Sequence, residues 1–236
     1  MVIGGFMDIF SKISIAFEGG GIWMWPILGI QLVSIGIALE RFVALFVKRK
    51  ANQKQVASTF EDTIRKGEFK KLNEQTMQVS GLAISRATMA GAKAAQMLGG
   101  KEEIQGKMDE VLVEENSQLE KRIGFLAMLG NVATLTGLLG TITGMIKSFA
   151  AVSYASPAEK AALLSAGISE AMNCTAYGLV TAIPALVLFA ILQNRANELA
   201  EDLNQGALKV YNWLSYAFEP AGFKPLKGQR EQTLDA

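Results

Sequence analysis

The chain has 236 residues, 50% of them hydrophobic, with 23 Lys+Arg against 22 Asp+Glu and a net charge of +1, a balance that gives a nucleic-acid partner no electrostatic support. There is no histidine, so the commonest metal ligand and the one side chain with an unperturbed pKa near neutrality are both missing. A single cysteine, Cys174, excludes an intrachain disulfide.

Mean hydropathy is +0.24, near the top of the soluble range, so the distribution of residues decides the class. Charges crowd into residues 48–122 and the C-terminal part, leaving three apolar spans. Residues 1–21 read as an amphipathic helix and a Gly linker. Phe6, Phe10, Ile13 and Phe17 share one helical face opposed by Asp8, Lys12 and Glu18, ahead of Gly19-Gly20-Gly21. Such a helix lies on a membrane surface or packs on its own protein.

The first predicted transmembrane helix covers 22–47. Trp23 and Trp25 suit an aromatic belt, and Pro26 suits a first helical turn. Glu40-Arg41 interrupts the run near its far end, where the pair is expected to snorkel to the interface. Lys48-Arg49-Lys50 follows. By the positive-inside rule this end is cytoplasmic and the N-terminus outside.

Residues 48–122 read as a cytoplasmic helical domain. Its apolar positions (Val56, Phe60 and Ile64, then Leu82, Met89 and Met97) have helical spacing, with breaks at Gly67, Gly81 and Gly99-Gly100. Lys101–Arg122 is predicted as one amphipathic helix, with Ile104, Met108, Val111, Glu115 and Leu119 along it, feeding into the next span.

Residues 123–193 are predicted to form a transmembrane hairpin. In its first arm Gly130, Thr134, Gly137, Thr141, Gly144 and Ser148 recur in alternating steps of four and three, one continuous small-residue stripe. Lys147 is expected to snorkel. Ser156-Pro157-Ala158-Glu159 signals a helix start, with Ser as N-cap. The second arm carries Ala171, Cys174, Gly178, Thr181 and Ala185 on one stripe, polar Glu170, Asn173, Thr175 and Tyr177 in its outer half, and Pro184, which should loosen the helix. Leu199, Leu203, Ala207, Val210 and Leu214 then continue a heptad-like pattern. Residues 194–218 are therefore read as a cytoplasmic extension bundling with the Lys101–Arg122 helix, and 219–236 as a disordered tail. The fold class is an all-α membrane protein: three transmembrane helices, with long helices extending into a cytoplasmic helical domain.

Two motifs carry a family resemblance. The first is Gly137-Leu138-Leu139-Gly140-Thr141-Ile142-x-Gly144-Met145-Ile146-x-x-Phe149. The second is Gly167-Ile168-Ser169-Glu170-Ala171 followed by Thr175-Ala176-x-Gly178-Leu179-Val180-x-Ala182-Ile183-Pro184-Ala185. In order and separation they resemble the ExbB/TolQ branch of the MotA/TolQ/ExbB ion-driven membrane motor family. The resemblance implies a homopentamer in the bacterial inner membrane, with the N-terminus and residues 1–21 periplasmic and the C-terminus cytoplasmic. Its pore would hold a dimer of a single-span ExbD/TolR-like protein, which supplies a membrane Asp and connects to a TonB/TolA-like protein. It implies that Thr175 faces the pore and that Glu170 sits near the outer end of its span. The chain departs from the family in having Thr134 where Pro is frequent.

The residues themselves bear on ion coupling. No Asp, Glu or His lies in the middle third of any span, and threonine does not titrate, so this subunit alone is not a complete proton path. The missing carboxylate must come from another chain. Thr175, Thr136, Thr143, Asn173, Thr181 and Glu170 are the ion-pathway candidates. Packing is the other reading of the hydroxyls and the amide, and a structural bond to Lys147 or a neighbouring helix is the other reading of Glu170. Helix packing is assigned to Gly130, Gly137, Gly140, Thr141, Gly144, Gly178, Ala182 and Pro184. The translocated ion is expected to be H⁺, with Na⁺ as the lesser alternative, and no bound cofactor or metal is expected. No nucleophile–base grouping points to an enzyme. The functional alternatives are a flagellar-type stator subunit or a passive scaffold for a periplasmic linker protein.

Overall fold

The computed structural model describes Phe17, residues 19–47, Arg49, residues 52–97 and residues 100–217. The amphipathic positions Phe6 to Ile13, the basic residues Lys48 and Lys50, and the tail 219–236 lie outside these residues. Among the described residues the chain is all helix, without a strand. The elements are α1 (Met24–Phe42, continued by a π-helical turn Val43–Val47), α2 (Gln53–Thr59), α3 (Glu61–Arg65), α4 (Phe69–Gln78), α5 (Ala83–Gln96), α6 (Lys101–Glu120), α7 (Ile123–Tyr154) and α8 (Pro157–Ala217). Three helical stretches, Met24–Val47, Lys101–Tyr154 and Pro157–Tyr216, are long and apolar enough to cross a membrane. The residues divide between two compact units: Met1–Arg49 with Glu120–Ala196, and Lys50–Leu119 with Asn197–Ala236.

In the first unit α7 and the first part of α8 pack through small residues, and α1 buries Met24, Ile27, Ser34, Ala38 and Arg41. On α7 the buried line is Gly130, Ala133, Gly137, Gly140, Gly144 and Ser148. Thr134, expected on that line, is exposed and Ala133 takes its place, while Thr141 is half-buried beside a buried Gly140; the buried line still advances in steps of three and four. On α8 Ala171, Cys174, Gly178, Thr181, Ala182 and Ala185 are buried. The helix passes through Pro184 without interruption. Its start matches the expected signal: the Ser156 backbone N–H donates to Glu159 Oε2 at 3.2 Å, and the Ser156 hydroxyl donates to the same oxygen at 2.6 Å.

At the far end of α1 the two charges differ: Glu40 is exposed, whereas Arg41 turns inward. Arg41 is 8% exposed. Its Nη2 bonds Glu40 Oε1 at 2.7 Å, while the other Glu40 oxygen accepts from Arg122 Nη1 at 2.8 Å. A guanidinium held among apolar side chains needs a counter-ion, and its neighbour in sequence supplies it. Arg122 marks a break the sequence reading did not place. Instead of one helix to Arg122, α6 ends at Glu120, and Arg122 adopts a left-handed backbone (φ 63) before α7 begins.

The second unit is built on large apolar side chains. Phe60, Ile64, Leu72, Ile84, Ile104, Met108, Leu203, Val210 and Leu214 share one core with several alanines. The helix α6 and the distal part of α8 lie side by side here, joined by Asn116 Nδ2 donating to Asn204 Oδ1 at 3.2 Å. Gln53 ties three elements: its N–H donates to Asp202 Oδ2 at 2.7 Å, and its Oε1 accepts from the Ile84 N–H at 3.1 Å. Arg86 forms an ion pair with Glu115, a carboxylate only 1% exposed.

Candidate ion-pathway site

The site grows from the close approach of α7 and α8. Gly137 and Gly178 face one another across the seam. A Cβ on Gly178 would lie 2.9 Å from the Ala133 carbonyl oxygen and 3.1 Å from Gly137 Cα. A Cβ on Gly137 would lie 3.1 Å from the Cys174 carbonyl oxygen. The missing side chains let backbone meet backbone, and that exposes the Gly137 carbonyl to the facing helix.

Two hydroxyls use this opening. Thr175 donates to the Gly137 carbonyl across the seam at 3.1 Å. Thr141 lies 3.2 Å from the same carbonyl and 3.3 Å from the Ala171 carbonyl, and the Thr141 and Thr175 hydroxyls meet each other in a hydrogen bond. Two hydroxyl protons thus serve three carbonyl and hydroxyl acceptors. Both residues are half-buried. The pair keeps lone pairs that can accept a hydrogen bond from water or from a protonated carboxyl; it cannot itself carry a charge at any relevant pH. By sequence Thr141 belongs to the packing residues. Its place one helical turn after Gly137 was the signal that it shares the Gly137 carbonyl.

The other candidates lie elsewhere. On α8, Glu170, Cys174 and Tyr177 touch the α1 side. The Glu170 carboxylate abuts Gly21, whose φ of +69 suits glycine. Cys174 donates to the Gly20 carbonyl at 3.1 Å, and Tyr177 Oη donates to Gln31 Oε1 at 2.5 Å. At about 100° per residue, Thr175 projects roughly 160° away from Tyr177, whereas Asn173 and Thr181 fall within about 40° of it. Among the ion-pathway candidates of α8, Thr175 alone joins Thr141, and Glu170, Asn173 and Thr181 line up towards α1. No ion pair joins Glu170 to Lys147 among the described residues; Lys147 is exposed.

On α7 the Thr136 hydroxyl bonds the Val132 carbonyl at 2.7 Å and Thr143 bonds the Leu139 carbonyl at 3.0 Å, each on its own helix. Of the packing residues, Gly130 faces Leu186, Gly140 faces Cys174 and Trp23, and Gly144 faces Ala171. Ala182 is buried and Pro184 exposed. Reading the sequence missed Gln31, although a lone amide inside an apolar run was a visible signal. Among the described residues no cluster of His, Cys, Asp or Glu forms a metal site.

Comparison with known proteins agrees with this architecture. Residues 79–205, more than half of the chain, match the model of the MotA/TolQ/ExbB proton channel family. The chain is 29% identical over 215 residues to the Tol-Pal system protein TolQ of Haemophilus influenzae, covering 84% of this chain and 88% of that protein. It is 30% identical over 182 residues to the putative biopolymer transport protein ExbB-like 1 of Synechocystis, covering 75% of this chain and 68% of the relative. To the biopolymer transport protein ExbB of Pseudomonas putida it is 31% identical over 100 residues, 42% of this chain and 30% of that protein. The matched region contains the α7–α8 seam and the Thr141–Thr175 pair, and the chain belongs to the MotA/TolQ/ExbB proton channel family, in its ExbB/TolQ branch.

Proposed function

We propose that this chain is the channel-forming subunit of a proton-driven motor of the inner membrane, serving a Tol-Pal or TonB-type system. Five copies assemble around a dimer of a single-span ExbD/TolR-like protein, whose membrane Asp completes the proton path. A TonB/TolA-like protein carries the resulting work across the periplasm. The N-terminus is periplasmic, and the second compact unit and the C-terminus are cytoplasmic. The subunit moves H⁺ rather than Na⁺, holds no cofactor and catalyses no covalent reaction.

One observation carries this reading: the Thr141–Thr175 hydroxyl pair, placed on the side of the seam away from α1. A proton path through hydrocarbon needs a titratable group or polar groups that hold water. The pair supplies the second, and the chain has no mid-span acid to supply the first. A protonated acid from a partner at this level would donate to a free lone pair of the hydroxyls without being locked into a permanent ion pair.

The test is proton flux into liposomes holding the complex with its partner. Thr175→Val removes the hydroxyl at nearly constant volume, leaving α7 and α8 packed. The expected result is an intact complex by native mass spectrometry with flux reduced at least about tenfold, and Thr175→Ser restoring most of it. Unchanged flux in Thr175→Val would return the protein to the scaffold reading. Flux that follows a sodium gradient at constant pH would replace H⁺ by Na⁺.

A further inference from the structure

The helices α1 and α8 run parallel and in step: Gly21 meets Glu170, Gln31 meets Tyr177, and Phe46 lies under the Arg195 guanidinium, 5.5 Å from the ring centroid. One turn beyond the Gln31–Tyr177 bond, this register brings Ser34 and Thr181 to one level. Both belong to the inward faces of their helices. Ser34 follows Gln31 by three residues on a line with Met24, Ile27, Ala38 and Arg41, and Thr181 follows Tyr177 by four.

Ser34 is 5% exposed and Thr181 4%, and neither hydroxyl oxygen has a hydrogen-bond partner. Thr134, Thr136, Thr141 and Ser148 on α7 each bond the carbonyl one turn back on their own helix. Ser34 and Thr181 forgo that usual solution. Buried hydroxyls are rarely left unsatisfied, least of all where a membrane supplies no solvent.

We propose that Ser34 and Thr181 together form a buried hydration site, in which a water molecule bridges the two hydroxyls between α1 and α8. Each hydroxyl offers one donor and two acceptor positions, so the pair provides the minimum of two partners such a water needs. The ligand is neutral: both side chains are uncharged, and no carboxylate lies within one turn of either residue on its own helix. With the Gln31–Tyr177 bond one turn away, the water extends a polar seam inside the protomer. This seam is distinct from the Thr141–Thr175 pair and lies on the other side of α8. It holds α1 in register on the hairpin.

A cryo-electron-microscopy map of the full chain in lipid nanodiscs, at a resolution that shows ordered water, tests this directly. The expected result is density within hydrogen-bond distance of both hydroxyls. Continuous side-chain rotamers bonding the Ile30 and Tyr177 carbonyls, with no density between them, would overturn it. Melting of Ser34→Ala, Thr181→Val and the double variant provides a second readout. A shared water makes the effects non-additive: each single variant lowers Tm by about 2–4 °C and the double by little more than one of them. Thr181→Ser, which keeps the hydroxyl, should melt like the parent. Additive shifts, or no shift in either single variant, would count against the bridge. If a variant fails to fold, the map of the parent protein still decides.

Discussion

The α7–α8 seam of the first unit and the core of the second bury opposite kinds of residue, although the first unit also encloses Met24, Ile27, Leu45, Ile123 and Leu126 away from that seam. In the first, glycine, alanine and cysteine are inside, while Leu32, Leu135, Leu138, Ile142, Ile146, Val180 and Ile183 point outward. In the second, Phe60, Ile64, Leu72, Ile84 and Ile104 are inside, and charges such as Lys54, Arg65 and Lys107 face out. The difference follows from the surroundings. Between lipid chains, exposing leucine costs nothing, so helices associate through close backbone contact and hydrogen bonds, which small residues permit. In water, burying each large apolar side chain contributes about 1.5–3 kcal/mol, and volume inside is what stabilises. The same chain therefore contains one region stabilised by the absence of side chains and one stabilised by their bulk.

Enlarging a residue in the first unit and shrinking one in the second should both break the molecule, and the first should do more. Gly178→Leu places a branched side chain against the Ala133 carbonyl and Gly137 Cα, both backbone atoms that cannot swing aside. The loss should exceed the usual overpacking cost of about 1–3 kcal/mol and part the hairpin. Cysteine cross-linking between α7 and α8 in membranes would read this as lost yield, and retained cross-linking would show that the seam tolerates bulk. Leu72→Ala, at a residue 1% exposed in the second core, should cost about 2–4 kcal/mol by the lost contacts and the cavity left behind. Circular dichroism melting of the protein in detergent would register it; a change under about 1 kcal/mol would mean that the site collapses around the gap.

The seam was legible from spacing alone, because small residues inside a lipid-facing helix have few reasons to recur at three and four. Most of the expected stripe on α7 and all of that on α8 are buried. Less legible were residues whose surroundings are assembled from distant parts of the sequence. Arg41 was expected to snorkel, since nothing local marks it as buried. Its neighbour Glu40 is also bonded to Arg122, 82 positions away. Glu170 gave two readings, pathway acid or a structural group bonded to Lys147 or a neighbouring helix. Its actual neighbour, Gly21, is a residue that offers no side chain for a pattern to detect. Thr141 and Thr175 were put in different classes because each lies in its own motif, and only the crossing of the two helices brings the hydroxyls together. Periodicity reports which face of a helix is buried; it does not report what that face meets.

The smallest effect is the most discriminating, because it uses glycine again and reverses the sign. Gly106 lies inside α6, exposed, with nothing within 4 Å of where a Cβ would stand. It supplies no close approach and no left-handed turn, so its only energetic consequence is the backbone freedom it loses on folding. Gly106→Ala should therefore stabilise the second unit by about 0.5–1 kcal/mol, read as a small rise in Tm or in the midpoint of urea unfolding. The same substitution at Gly137 pushes a methyl group to 3.1 Å from the Cys174 carbonyl oxygen and should destabilise. If Gly106→Ala also destabilised, that face of α6 would be meeting another surface in the assembled protein. The contrast between a lipid-packed seam and a water-soluble bundle would then have to be redrawn at α6.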